Sequence, residues 1–257
     1  MFVLELDSFA LTNGTDPFSI VNMRTAWRTL GGGLVRDILA VAVAAGFVGL
    51  SFGAIATAAG VPDWAVAALS LFVFAGGAQF LAVALVAAGS PITAILGGLL
   101  LNARHLPFGL AIADVLAGGW GRRAVGSHLM VDESVAFALA QSNPERRRAA
   151  YWFTGATLFV CWQTGTVAGI AIGGAVGDPA QYGLDAAFPA ALLALLVPRL
   201  REAAGLRVAL LASAVAVAAT FVVPAGLPVL LGLVGLVAAG RAPRTPTLAP
   251  DHNAEGP

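Results

Sequence analysis

Three short stretches of this chain put groups able to do chemistry inside runs that are otherwise apolar. The first is Asn102-Ala103-Arg104-His105-Leu106-Pro107. A guanidinium at bilayer depth costs at least ~2.5–3.5 kcal/mol on insertion scales. Arg104 therefore requires a carboxylate, exposed carbonyls or a water-filled cavity. Pro107 has no N–H for the carbonyl of Ala103, four residues back, which predicts a freed acceptor. A broken helix with free backbone groups beside a guanidinium suits a carboxylate or an ion, with Asn102 and His105 as flanking contacts. The alternative is a salt bridge that staples two helices.

The second stretch is Asp132-Glu133-Ser134. Neighbouring side chains on a helix point about 100° apart. One acid could pair with Arg104 while the other titrates, because desolvation raises a carboxylate's pKa; such a pair could carry protons. The alternative places 127–141 as an interfacial helix with both acids in water. Asp114 is a third acid, near the end of its run, where water is its expected partner. The third feature is a pair of amides, Gln79 and Gln163, each in an uncharged run. Each needs hydrogen-bond partners there, as interhelical glue or as substrate contacts.

The elements that must position these groups follow from composition. Of 257 residues, 58% are apolar and 11% charged, against about 25% charged in a soluble domain. The mean hydropathy is +0.85. A soluble globule and a disordered chain are both excluded on these grounds. The formal net charge is zero, so no nucleic-acid partner is expected. One cysteine, Cys161, excludes an internal disulfide, and three scattered histidines, His105, His128 and His252, do not read as a metal site. No P-loop, H-E-x-x-H or G-x-G-x-x-G fingerprint is present, and no cofactor is expected. Gly49-Leu50-Ser51-Phe52-Gly53 fits the G-x-S-x-G pattern but lies inside an apolar run, without the strand–turn–helix setting that a nucleophile needs.

Uncharged runs cover 38–60, 64–88 and 151–177, with interrupted apolar stretches at 92–117, 127–141 and 184–198. The run 208–240 is too long for one crossing, and Pro224 and Pro228 predict two short helices. At roughly 20 residues per span, the reading is an all-α polytopic membrane protein of about 7–8 transmembrane helices. One or two of its segments, 92–117 and 127–141, are broken or re-entrant. Residues 1–35 read as a cytoplasmic tail, with Met23 an alternative start; 36–241 form the membrane domain; 242–257 form a disordered cytoplasmic tail. Cations favour the cytoplasmic side. Arg24, Arg28, Arg36, Arg146–Arg148 and Arg241 then lie inside, leaving Arg122 and Arg123 as the exception. Gly165, Gly169, Gly173 and Gly177 recur every four residues, with Gly49 and Gly53 in the first run. That stripe is a close-packing face, within the chain or towards another subunit.

Taken together, these residues resemble the AzlC family of branched-chain amino acid exporters. The resemblance rests on Phe74-Ala75-Gly76-Gly77-Ala78-Gln79-Phe80, Asn102-Ala103-Arg104-His105-Leu106 and Asp132-Glu133-Ser134. Trp162-Gln163-x-Gly165-Thr166 and Gly183-Leu184-Asp185-x-x-x-Pro189-Ala190 also fit, over about residues 36–240. Val131 replaces a Thr, and Pro107-Phe108 a Leu-Tyr pair. The resemblance implies a permease large subunit in a bacterial inner membrane that exports leucine, isoleucine and valine. It also implies a small hydrophobic AzlD-like subunit, for which the glycine stripe offers a docking face. Such a cargo is chemically compatible: Arg104 for the carboxylate, Asp132 or Glu133 for the ammonium, and apolar walls for the side chain. Without an ATP motif, export points to proton coupling. A channel-like facilitator and a non-transporting structural subunit are the rival readings.

Overall fold

The computed structural model describes residues 23–176, 201–223 and 227–239, together with isolated positions between 181 and 200. Every regular element among the described residues is helical. The chain divides into two compact units, Met1–Ala194 and Leu195–Pro257.

In the first unit, α1 (Met23–Leu30) leads through Gly31 into α2 (Gly32–Ala58). Gly31 has φ 82°, a backbone that a side chain would strain. Then follow α3 (Asp63–Val73), α4 (Gly76–Ala87), α5 (Pro91–Asn102), α6 (His105–Ala111) and α7 (Ala113–Leu116). After these come α8 (Trp120–His128), α9 (Asp132–Leu139) and α10 (Pro144–Val176).

Among the described residues, two helices are long and apolar enough to cross a membrane: Gly32–Ala58, of 27 residues, and Pro144–Ala175, of 32 residues. At 1.5 Å per residue both exceed a hydrocarbon core of about 30 Å. They pack on each other as the main helix pair of the unit. The reason is the glycine stripe. A Cβ at Gly165 would collide with the carbonyl of Gly46, and one at Gly169 with that of Leu50. At Gly173 it would lie 2.8 Å from the Ala54 carbonyl oxygen. Gly53 approaches the Thr166 carbonyl from the other side in the same way. The stripe is thus filled by α2 of the same chain, and this corrects the idea that it offers a free docking face. Gly177 lies outside the described residues.

The other apolar runs are divided. The run 64–88, read as one crossing, is split into α3 and α4 at Phe74 and Ala75. Phe74 takes a left-handed backbone, φ 41°, and the glycine pair that follows, Gly76-Gly77, favours helix weakly. The stretch 92–117 is broken into α5, α6 and α7, and 120–139 into α8 and α9. A buried core forms around Phe52, Phe74, Ile112, Tyr151, Trp152 and Trp162. On α5 and α6, Ile92, Ile95, Leu99, Leu106 and Leu110 face outward, an apolar exterior of the kind a bilayer covers.

In the second unit, α11 (Ala203–Ala219) packs on a 3-10 helix, Gly232–Ala239, entered through α12 (Leu227–Leu231). The long run 208–240 is therefore interrupted between Ala219 and Leu227, and Pro228 sits in the first turn of α12, where its missing N–H is tolerated. The tails 1–22 and 242–257, and Leu184, Asp185 and Pro189, lie outside the described residues.

Candidate functional site

Arg104 occupies the break between α5 and α6, and Asp132 opens α9. Arg104 Nη1 lies 3.1 Å from Asp132 Oδ2. The local sequence explains the acid's placement. Ser134 Oγ accepts the Val131 N–H at 3.0 Å, closing the entry to α9, and Asp132 and Glu133 occupy the first turn, where the helix dipole favours negative charge. The same hydroxyl lies 2.9 Å from the Val131 carbonyl oxygen. Glu133 follows Asp132 directly and is half-buried.

Asn102 is the last residue of α5. Its carbonyl oxygen lies 2.9 Å from His105 Nδ1, which bridges the break, while its side-chain Oδ1 is buried and accepts no hydrogen bond from the described residues. The Ala103 carbonyl, expected to be free, accepts the Leu106 N–H at 3.1 Å. Pro107 does not create this break. It sits inside the first turn of α6, where no helical bond needs its nitrogen. The break falls one turn earlier, at Ala103 and Arg104.

The two glutamines serve the break between α3 and α4. Gln79 is fully buried, and its Nε2 donates to the Leu69 carbonyl at 3.0 Å. Gln163 Nε2 donates to the Ser70 carbonyl at 3.0 Å, and its Oε1 accepts from Ser70 Oγ at 2.9 Å. Ser70 Oγ is also 3.1 Å from Thr166 Oγ1. Both ends of the Gln163 amide are thus engaged in tying α10 to α3. Gln79 keeps Oε1 buried and unbonded among the described residues.

Several contacts carried no sequence signal. His128, set aside as a scattered histidine, packs its ring at a tilt 6.2 Å from that of Phe74 and edge-on 5.6 Å from that of Phe159. Tyr151 Oη donates to the Gly126 carbonyl at 2.7 Å, joining α10 to α8. The arginine run at the start of α10 is an anchor. Arg146 donates to the Leu30 carbonyl at 2.9 Å, and Arg147 holds both the Ala111 carbonyl and Asp114, the latter at 3.5 Å. That last contact gives Asp114 a protein partner where water had been expected. Ser51 lies buried within continuous α2, not at a turn that would expose a nucleophile.

The site thus combines a guanidinium, a paired carboxylate, a second adjacent acid and interrupted helices, the paired side chains being 40% and 42% exposed. A family model described as AzlC protein matches residues 40–176, more than half of the chain and a span that includes every one of these side chains. No curated protein and no solved structure matches the chain. The chain belongs to the AzlC family, a transporter-type membrane family associated with branched-chain amino acid transport.

Proposed function

We propose that this chain is the large subunit of a secondary transporter that exports branched-chain amino acids — leucine, isoleucine and valine — across a bacterial inner membrane. In this reading both termini are cytoplasmic, a small AzlD-like membrane subunit completes the carrier, and protons drive export. The observation that supports it is the Arg104–Asp132 pair at two helix interruptions. A zwitterion can exchange into such a pair, its carboxylate taking the guanidinium and its ammonium the acid. Charge is conserved in the exchange, so neither protein group is left uncompensated in a low-dielectric setting. The apolar surroundings then contact the aliphatic side chain. They separate leucine, isoleucine and valine weakly, by about 1–3 kcal/mol per methylene. Glu133 takes the coupling proton in this reading while Asp132 is engaged.

The test is efflux from cells lacking their own exporters, loaded with dipeptides of leucine, isoleucine, valine or lysine, with and without the small subunit. Faster efflux of the aliphatic amino acids alone is expected, and collapse of the proton gradient should slow it. Efflux that ignores the gradient would move the protein to the facilitator class.

A further inference from the structure

The structure brings three helix breaks to one region of the first unit. In the α4–α5 hairpin, a Cβ at Gly97 would lie 3.0 Å from Leu81 Cδ2 and 3.8 Å from Leu85 Cδ1, so these helices are in register there. Gly76 lies five residues before Leu81, and Asn102 five residues after Gly97. Each helix therefore runs about 7.5 Å further to its end, and both ends fall at the same level of the hairpin. This sets the Phe74–Ala75 break beside the Ala103–Arg104 break. The third break, Leu129–Val131, is joined to both. The His128 ring packs at a tilt against that of Phe74, centroids 6.2 Å apart, and Asp132 bonds Arg104 at 3.1 Å.

Each break carries one buried side-chain oxygen that accepts no hydrogen bond from the described residues: Gln79 Oε1, Asn102 Oδ1 and Asp132 Oδ1. The Gln79 orientation is fixed, because its nitrogen end is the one that can meet the Leu69 carbonyl. Among the described residues, the remaining buried side-chain groups without a partner are the ring nitrogens of Trp152 and Trp162, Nε of Arg122 and Arg147, and the Thr154 hydroxyl. Among the described residues, the buried unmet side-chain groups that only accept thus lie at or within one turn of the three breaks. Buried acceptors left unmet are unfavourable, and a trio of them calls for a guest that only donates.

The geometry points to a primary ammonium group as that guest, held by Gln79, Asn102 and Asp132 together. Three N–H donors match three oxygens. This rests on the amino acid export reading above and adds to it the residues that read the amino end. The cargo's carboxylate replaces Asp132 on Arg104, which turns the freed carboxylate towards the ammonium. Recognition of this kind discriminates by counting N–H groups, because each methyl on the nitrogen leaves a buried oxygen unmet.

The experiment is labelled-leucine counterflow in proteoliposomes holding the full chain, with its small subunit where transport requires it. Competitors are leucine, N-methylleucine, N,N-dimethylleucine and 4-methylpentanoate, which has no amine. Each methyl should weaken competition about tenfold, the scale of one lost charge-assisted hydrogen bond, and 4-methylpentanoate should not compete. Gln79→Leu and Asn102→Leu should raise the leucine KM about tenfold and flatten the methyl series. If either variant fails to fold, the wild-type competitor series decides by itself. Robust leucine counterflow with N,N-dimethylleucine competing as well as leucine would overturn the ammonium site and leave amino acid export standing. No leucine counterflow at all would remove the export reading and this inference with it. Counterflow that stops when choline replaces sodium, with that dependence lost in Gln79→Leu and Asn102→Leu, would mean that the three oxygens hold a sodium ion, against the assignment made here.

Discussion

Arg104 Nη1 stands 3.1 Å from Asp132 Oδ2, so the interruption between α5 and α6 is bonded to the first turn of α9. Both partners are charged and the elements that carry them are short and broken. The contact therefore fixes two segments whose backbones are weakly constrained. In the transport reading proposed above, it also supplies the positive and negative groups that a zwitterion needs.

Reversing this pair separates a staple from a binding site. Arg104→Asp alone opposes two carboxylates and should lower the amount of inserted protein. Adding Asp132→Arg should restore the amount, because the charges again attract. Leucine efflux should stay at least about a hundredfold down, since the guanidinium would then sit on α9, on the side where the proposed cargo presents its ammonium. Full recovery of efflux in the double variant would identify the pair as structural. Protein abundance and efflux are measured on the same cells.

The α2–α10 contact predicts a graded response along one helix. Gly169→Leu drives a side chain into the Leu50 carbonyl, backbone that cannot move aside. It should lower the melting temperature of the detergent-solubilised protein sharply, at a cost of about 3 kcal/mol or more. Gly174 has open space at its Cβ position, and Gly174→Leu should melt with the wild type. Equal melting of the two variants would contradict the packing described.

The Ser70–Gln163 tie predicts a stability effect without a transport effect. Gln163→Leu removes two interhelical hydrogen bonds, each worth about 0.6–1.7 kcal/mol in a membrane protein. The melting temperature should fall while the leucine KM stays within about twofold, a range below RT in free energy. A large KM change with unchanged melting would place Gln163 in contact with cargo.

Tyr151→Phe deletes the hydroxyl that reaches the Gly126 carbonyl. The buried acceptor is left unmet, and about 1–3 kcal/mol of stability should be lost. Thermal melting checks this. An unchanged melting temperature would show that the α8–α10 junction does not depend on the bond.

Much of this was legible in the chain itself, for physical reasons that differ by residue. Arg104 and Asp132 stand out because charge inside an apolar run demands an explanation, and opposite charge supplies it. The α2 and α10 helices are legible because long uncharged runs have few alternatives. The glycine stripe showed close packing, yet no sequence pattern could tell whether α2 or another subunit fills it, since a smooth face is equally open to either. The break at Phe74 was hidden because a run that is apolar throughout carries no periodicity to interrupt. The end of α3 is satisfied by Gln79, from the first turn of α4, and by Gln163, from distant α10, and local sequence does not reveal the second. The break at Arg104 was legible, but its cause and the freed Ala103 carbonyl were not, since Leu106 N–H meets that carbonyl. Proline disturbs a helix interior but is accommodated in a first turn, so Pro107 marks the start of α6 and not its rupture.

The most direct measurement is branched-chain amino acid efflux by wild type and by Arg104→Ala, with the small subunit present and inserted protein quantified in both. Dipeptide-fed cells should release leucine, isoleucine and valine faster with the wild type than without the protein, and the variant should abolish the gain at equal abundance. Wild-type efflux no faster than in cells without the protein, or undiminished efflux through Arg104→Ala, would contradict a cargo site built on Arg104 and Asp132.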